Sequence, residues 1–185
     1  MAMKEVFILR HGEWDLEIDR LTYDGARRAL EIAEELPPFS VVYSSPLNRN
    51  QQTARLLGKM EPKLSDLADS PKVPLSLRGR INERCQTHRQ GIAGAMFEIS
   101  EVIPKLQVAG GALKQLIERA LNELKDGQFG LIVSHDETMV AAELIIQAVP
   151  LNTPPDHTYR ELEGYQVDQN LSLAQHRYPM VFEPY

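Results

Sequence analysis

Residues 4–13, KEVFILRHGE, join a strand-like apolar run to a cluster of polar side chains. The four apolar residues 6–9 have the length and composition of a strand that is buried on both faces. Arg10, His11 and Gly12 follow where such a strand would reach the edge of its sheet. Because ligands of open α/β sheets bind at the carboxyl ends of the strands, this stretch predicts both a fold class and a candidate site.

The strand-then-polar pattern recurs twice further along the chain. SVVYSSPLNRNQQTARLL (40–57) and FGLIVSHDETMVAAELIIQAV (129–149) each begin as a strand and continue as a helix, with Ser44 or Ser45 as the expected cap of the first helix. LTYDGARRALEIAEELPP (21–38), capped by Thr22, and LKQLIERALNELKDG (113–127) read as further helices. Alternating strands and helices predict an α/β three-layer sandwich, with a mainly parallel central sheet and helices on both faces.

Two parts of the chain are less regular. Residues 61–104 contain four prolines and little periodicity, so we expect an irregular excursion within a single domain that spans residues 1–185. Near the C-terminus, GYQV (164–167) and LSLAQ (171–175) are separated by turn-forming residues and predict a hairpin.

Composition narrows the classes of function. The net charge of −6 over 185 residues argues against a broad nucleic-acid or anionic-membrane surface. The single cysteine, Cys85, excludes an intrachain disulfide, and the N-terminal apolar run is too short for a secretory signal or a membrane span. We therefore expect a cytoplasmic protein that binds neither nucleic acid nor membrane, and a homodimer is left open.

Three probable strands end in polar residues that parallel pairing would bring together. The segments concerned are LRHGE (9–13), SSPLNRNQQTA (44–54) and VSHDE (133–137). With LTYDGARRA (21–29), they resemble the histidine phosphatase superfamily, which includes the cofactor-dependent phosphoglycerate mutases. The resemblance covers residues 6 to about 149, and it implies that His11 accepts the phosphoryl group while Arg10, Arg49 and His135 flank it.

The residue types support phosphoryl transfer on their own chemistry. The planar forks of Arg10 and Arg49 can each bind two phosphate oxygens. His11 is the candidate nucleophile, since a neutral imidazole attacks readily at physiological pH. Gly12 would let the backbone turn sharply or approach the phosphate closely. The scheme needs no metal and no cofactor.

The proton donor to the leaving group is ambiguous in the sequence. Glu83 lies where mutase-like members of the family place their acid, and it is slightly favoured. Asp136 resembles the His-Asp pair of the acid phosphatase branch, but it is also a good helix N-cap. Glu13 is a third choice. Many mutase-like members have an asparagine soon after the RHG segment, where this chain has Trp14 and Asp15, and this weakens a mutase assignment more than a phosphatase one.

A basic cluster lies inside the irregular stretch. Residues 71–91 contain five basic residues and one acid, although the whole chain is acidic. Such a cluster could contact a second anionic group of a substrate, or it could be a solvated face. The basic members are Lys72, Arg78, Arg80, Arg84 and Arg89.

These observations favour a phosphomonoesterase that hydrolyses a small phosphorylated substrate through phosphorylated His11. Two alternatives within the family are a phosphoglycerate-type mutase and a protein phosphohistidine phosphatase. An alternative of another class is a non-catalytic protein that binds a phosphorylated ligand in the same pocket.

Overall fold

The computed structural model describes residues 3–153 and 155–174 and has a six-stranded central sheet. Two further strands, β2 and β3, follow the first strand and pair with each other as a separate antiparallel hairpin. In chain order the strands are β1 (Glu5–Arg10), β2 (Trp14–Asp15), β3 (Arg20–Leu21), β4 (Phe39–Ser44), β5 (Lys63–Leu64), β6 (Phe129–Ser134), β7 (Gly164–Asp168) and β8 (Leu173–Ala174).

The order of strands in the main sheet is β5-β4-β6-β1-β7-β8. The pairs β5–β4, β4–β6 and β6–β1 are parallel, whereas β7 is antiparallel to both β1 and β8. The prediction of a mainly parallel sheet is therefore confirmed. The predicted hairpin is also present as β7–β8, and its Gln175 lies outside the described residues.

In the described part of the chain, six α-helices and one 3₁₀ turn (Asp66–Ala68) accompany the sheet. None of the helices in the described ranges is long and apolar enough to span a membrane. The helices are α1 (Tyr23–Ala33), α2 (Asn48–Gly58), α3 (Leu75–Cys85), α4 (Gly91–Phe97), α5 (Ile103–Glu123) and α6 (Asp136–Ile146).

Alternate strand residues face two separate hydrophobic clusters. Phe7 and Leu9 point to the side covered by α1 and α2, where Ala29 and Leu57 are buried. Val6 and Ile8 point to the opposite side, which α5 and α6 cover with residues such as Leu116 and Met139. This period of two, with helices on both faces, is the predicted three-layer arrangement.

One prediction about the helices is confirmed, and two need correction. Thr22 caps α1 as predicted, its Oγ1 accepting from Gly25 N at 2.9 Å. Neither Ser44 nor Ser45 caps α2, whose N-cap is Leu47. Residues 61–104 are more regular than expected, because the helices α3 and α4 lie within them. The pattern missed α3 because it buries one residue, Ile81, and so has no apolar stripe.

Candidate active site

The three predicted strand ends meet at one edge of the sheet. Arg10 pairs in register with Ser134 across β1 and β6, and Ser44 pairs with Val133 across β4 and β6. The residues that follow these strands therefore converge, as the pattern predicts. They line a cavity of about 1320 Å³, to which Arg10, His11, Arg49, His135 and Asp136 all contribute.

His11 is held as a neutral imidazole with a defined tautomer. It is 4% exposed, and its Nδ1 donates to the carbonyl of Gly12 at 2.9 Å. Burial lowers its pKa from 6.5 to about 3; the bond to Gly12 opposes this, while His135, Arg49 and Arg10 reinforce it. Because Nδ1 carries the proton, Nε2 keeps its lone pair and accepts from Arg49 Nε at 3.2 Å.

Arg49 is fixed by three groups, two of which come from the β2–β3 hairpin. Its guanidinium carbon lies 4.0 Å from the centroid of the Trp14 ring, a cation–π geometry. Its NH1 donates to Asp19 Oδ1. The other oxygen of Asp19 accepts a hydrogen bond from the Asn48 backbone N–H at 2.9 Å, which is the first N–H of α2. Asp19 thereby ties the hairpin to the helix that carries Arg49.

Arg10 contributes a second guanidinium with spare hydrogen-bonding capacity. Its NH1 donates to the Tyr159 carbonyl at 2.5 Å and lies 3.8 Å from Asp136 Oδ2. Its NH2 lies 3.4 Å from Glu161. Its Nε is buried and has no hydrogen-bond partner within residues 3–153 and 155–174, although buried N–H groups are rarely unpaired in folded proteins. A ligand oxygen in the cavity would satisfy this donor.

His135 follows β6 and caps α6 through its backbone. The side chain is buried, and its Nε2 lies 3.1 Å from Ser45 Oγ and 3.6 Å from Asp69 Oδ1. Burial lowers its pKa to about 3, and the positive charges of Arg49 and Arg10 act in the same direction. Its ring centroid is 5.4 Å from that of His11, so the two imidazoles share the floor of the cavity.

Among the candidate proton donors, the geometry favours Asp136. It is 7% exposed and lines the cavity, and burial raises its pKa from 3.8 to about 7 against the opposing charge of Arg10. Its Oδ1 accepts from Tyr159 N at 2.7 Å. It is the first residue of α6 and not its N-cap, so the capping interpretation is wrong.

The two other carboxylates lie outside the cavity. Glu83 is exposed on α3 and Glu13 is exposed before β2, and neither lines the cavity. The preference for Glu83 over Asp136 is therefore not supported. Position along the chain suggested Glu83, but its side chain is exposed, whereas its neighbours Ile81 and Asn82 line the cavity.

Gly12 has a packing role that differs from the expected turn. It is not among the residues with positive φ. A Cβ at this position would lie 3.3 Å from the Gly25 carbonyl of α1 and 3.3 Å from Leu21, a tight contact. Its amide donates to Thr53 Oγ1 at 3.1 Å, which links the segment after β1 to α2.

Two buried polar residues of α2 were not predicted. Asn50 Nδ2 donates to the Ser134 carbonyl at 3.1 Å, and Thr53 accepts from Gly12. Both lie on the buried face of α2 together with Ala54 and Leu57. Polar side chains on an otherwise apolar helix face are a signal that the sequence does contain. Asp19, in contrast, is a turn residue whose partner no local pattern indicates.

Part of the basic cluster reaches the cavity. Arg78 and Arg89 line it, whereas Arg80 and Arg84 are paired at 2.6 Å with Glu101 and Glu98. The rest of the cavity wall is also rich in charge, and Arg28 and Arg160 add to it. No group of three or more potential metal ligands occurs among residues 3–153 and 155–174.

A family comparison agrees with this geometry. The model of the histidine phosphatase superfamily (branch 1) matches residues 6–88 of the chain. The resemblance that the LRHGE and SSPLNRNQQTA motifs predict is thus confirmed. A search of curated protein sequences finds no significant match.

Many solved structures share the fold, and three illustrate the range. Mycobacterial glucosyl-3-phosphoglycerate phosphatase has a TM-score of 0.67 at 16% identity, covering 93% of this chain and 96% of that one. Phosphoserine phosphatase from Entamoeba histolytica, in complex with 3-phosphoglyceric acid, has a TM-score of 0.63 at 21% identity. The likeness covers 95% of this chain and 98% of that one. Phosphoglycerate mutase from Bacillus anthracis str. Sterne has a TM-score of 0.62 at 15% identity. The likeness covers 95% of this chain and 92% of that one. The predicted α/β fold class is confirmed by these likenesses.

Proposed function

We propose, from its match to the histidine phosphatase superfamily, that this chain is a phosphomonoesterase acting through a phosphohistidine at His11. The observation that carries the proposal is the state of His11. Its Nδ1 is committed to the Gly12 carbonyl, and its unprotonated Nε2 points toward Arg49 in a cavity that also holds Arg10. This is the arrangement of a nitrogen nucleophile beside fixed cations.

The first half of the reaction forms one bond and breaks one. Arg10 and Arg49 bind the non-bridging phosphate oxygens, and Arg49 Nε passes from His11 Nε2 to the substrate. The freed lone pair attacks phosphorus, and the bond from phosphorus to the ester oxygen breaks. Arginine charges stabilise the equatorial oxygens of the transition state, and His135 lies beside His11 at the same end of the cavity.

Asp136 transfers the proton in both steps, the formation and the hydrolysis of the phosphohistidine. With a pKa near 7, a large part of the population carries a proton at neutral pH and can donate it to the leaving alkoxide. The resulting carboxylate then takes a proton from water, which attacks phosphorus and releases inorganic phosphate. The bond to His11 Nε2 breaks, and both groups return to their starting states.

The substrate class is a small phosphate ester with a second anionic group. Arg78 and Arg89 lie on the cavity wall, and no carboxylate of the described residues pairs with them, whereas Glu101 and Glu98 pair with Arg80 and Arg84. Two ligands of related folds, phosphoserine and 3-phosphoglyceric acid, each carry a carboxylate beside the phosphate. That likeness supports, for this chain, a substrate whose second anion meets the basic cluster.

A mutase is the second candidate, because a phosphoglycerate mutase is among the proteins with this fold. It would use the same phosphohistidine but return the phosphoryl group to an organic hydroxyl instead of water. The two activities differ in product, which is an isomer for a mutase and inorganic phosphate for a phosphatase.

The decisive experiment compares the wild-type chain with His11→Ala on a panel of phosphomonoesters that includes phosphoglycerates, phosphoserine and nucleotides. We expect phosphate release and an acid-labile phosphoenzyme from the wild type, and loss of both in His11→Ala. His88→Ala is the matched control, since His88 pairs with Glu98 outside the cavity. Near wild-type turnover by His11→Ala would overturn the mechanism, and substrate loss without phosphate release would indicate the mutase.

A further inference from the structure

The main chain of Tyr159 contacts both charged groups that the proposed reaction uses. Its N–H donates to Asp136 Oδ1 at 2.7 Å, and its carbonyl accepts from Arg10 NH1 at 2.5 Å. Arg10 and Asp136 approach each other to 3.8 Å, which is too far for a hydrogen bond. The main chain of Tyr159 therefore hydrogen bonds both groups, and they contact each other only as a long ion pair without a direct hydrogen bond.

The side chain of Tyr159 is anchored from the opposite side. The residue is 3% exposed, and its hydroxyl donates to Glu143 Oε2 at 2.6 Å. Glu143 is a buried carboxylate on α6, 2% exposed, and it also lies 3.1 Å from His157 Nε2. The Tyr159 ring packs against Tyr165 with centroids 5.6 Å apart. A carboxylate in this position gives the hydroxyl a charge-assisted bond, which is stronger than a neutral one.

We propose that Tyr159 is a positioning residue that holds Arg10 and Asp136 apart, and that Glu143 fixes Tyr159 in place. The chemical consequence rests on the proposed function. If this long ion pair closed to hydrogen-bonding distance, Arg10 would lose part of the fork that binds phosphate. Asp136 would also ionise more readily and would be a poorer proton donor, because a closer positive charge favours the carboxylate. Tyr159, placed between Arg10 and Asp136, prevents both losses.

The charges around Asp136 determine the expected direction of the pH effect. Arg10 approaches from β1, while Glu137 of α6 and Glu161 of the following loop add negative charge. Release of Tyr159 removes its N–H bond to Asp136, which by itself raises the pKa of Asp136. It also lets Arg10 donate to the carboxylate directly, and this effect is the larger one because a charged donor stabilises a carboxylate more strongly than a neutral amide. The pKa of Asp136 therefore falls, and the basic limb of the kcat/KM profile moves to lower pH.

Tyr159→Phe tests the anchor by removing one hydroxyl. Tyr165→Phe is the matched control, since it removes a hydroxyl from the neighbouring ring, one that donates to the Met139 carbonyl at 3.3 Å. Glu143→Gln is the second variant, because it keeps the shape of the side chain and serves if Tyr159→Phe does not fold. We expect affinity for inorganic phosphate to weaken on the order of tenfold in Tyr159→Phe and less in Glu143→Gln, because the amide still accepts a weaker bond.

Three readouts separate positioning from a purely structural role. These are the phosphate dissociation constant, the pKa of the Asp136 carboxyl followed by carbon NMR, and the pH profile of phosphate release. Downward movement of the pKa and weaker phosphate binding in both variants, with neither in Tyr165→Phe, support the inference. An unchanged or raised pKa in folded Tyr159→Phe and Glu143→Gln overturns it. The first two readouts need no turnover, so an inactive wild type would reject the proposed function and still leave the positioning role decided.

Discussion

At the scale of single residues, burial acts on His11 and Asp136 in opposite directions and with complementary results. It lowers the pKa of the histidine to about 3 and raises that of the aspartic acid to about 7. In both cases the low-dielectric surroundings favour the uncharged form. Near neutral pH one cavity thus holds an unprotonated imidazole and, in a large part of the population, a protonated carboxylic acid, the combination that the proposed phosphoryl transfer requires.

Substitution of Asp136 by asparagine should expose its role as proton donor. We expect turnover of alkyl phosphates to fall by about 10²- to 10⁴-fold, and that of p-nitrophenyl phosphate to fall much less, because nitrophenolate leaves without a proton. The loss of kcat/KM above pH 7 should also disappear in this variant. Glu83→Gln is the control and should stay near wild type. Equal losses on both kinds of substrate would exclude Asp136 as the acid.

Sequence could identify the site residues that directly follow a strand, and it could not identify those held by distant loops. Arg10, His11 and His135 could be predicted to lie together because strand ends converge in a parallel sheet, and all three line the cavity. Tyr159 acts through its backbone, which no side-chain pattern reveals. Asp19 depends on the path of a short hairpin that brings it to Arg49. The preference for Glu83 over Asp136 has a related cause, because the sequence does not show which side of α3 faces the cavity.

At the scale of elements, α3 and the turn after it divide the basic cluster into two groups. Arg80 and Arg84 are neutralised by Glu101 and Glu98, whereas Arg78 and Arg89 face the cavity. The sequence showed the excess of charge but could not show this division, since the acidic partners come from residues beyond the cluster. The cavity-facing arginines are therefore the ones to test for substrate selection.

Replacement of Arg78 and Arg89 together by alanine should alter specificity and spare the chemistry. We expect KM for phosphoglycerates to rise about fivefold, since exposed ion pairs each contribute little. Values for p-nitrophenyl phosphate, which has no second anion, should hardly change. Arg80→Ala is the matched control for the removal of a charge from the same helix. A KM that rises equally for both substrates would mean that the cluster does not recognise a second anionic group.

At the scale of the whole molecule, the layered arrangement was predictable and the reversal of one strand was not. Apolar runs such as residues 6–9 and 131–133 indicated strands buried on both faces, and the structure has a helical layer on each side. β7 runs antiparallel to β1, a direction that its sequence does not encode. Because of that direction, the preceding loop passes over the carboxyl end of β1 and delivers Tyr159 there.

The buried titratable groups also predict how stability varies with pH. Between about pH 3 and 6.5 the unfolded chain protonates His11 and His135 while the folded chain does not, so acidification destabilises the fold. Asp136 opposes this, because between pH 3.8 and 7 the folded chain keeps a proton that the unfolded chain releases. Its stabilising contribution is lost as the pH rises to 7. Two histidines outweigh one carboxyl, so these sites together lower the free energy of unfolding as pH falls.

Urea unfolding of the wild type and His11→Asn between pH 4.5 and 6 measures one part of this balance. Removal of one buried histidine should flatten the dependence by about 1.4 kcal/mol per pH unit, the value for one proton. Other carboxyl groups titrate similarly in both proteins, so the difference between the two curves isolates His11. Parallel curves would mean that the histidine is not held neutral in the folded chain.

The bond between Arg10 and Tyr159 joins residues 149 positions apart, and this separation has a kinetic consequence. Contacts so distant along the chain form slowly, since a long loop must close before they contribute. Helices such as α1 and α5 need only local contacts and can form earlier. During refolding, the candidate active site should therefore be completed after most of the secondary structure. A newly collapsed molecule would still lack the bond that holds Arg10 in this site.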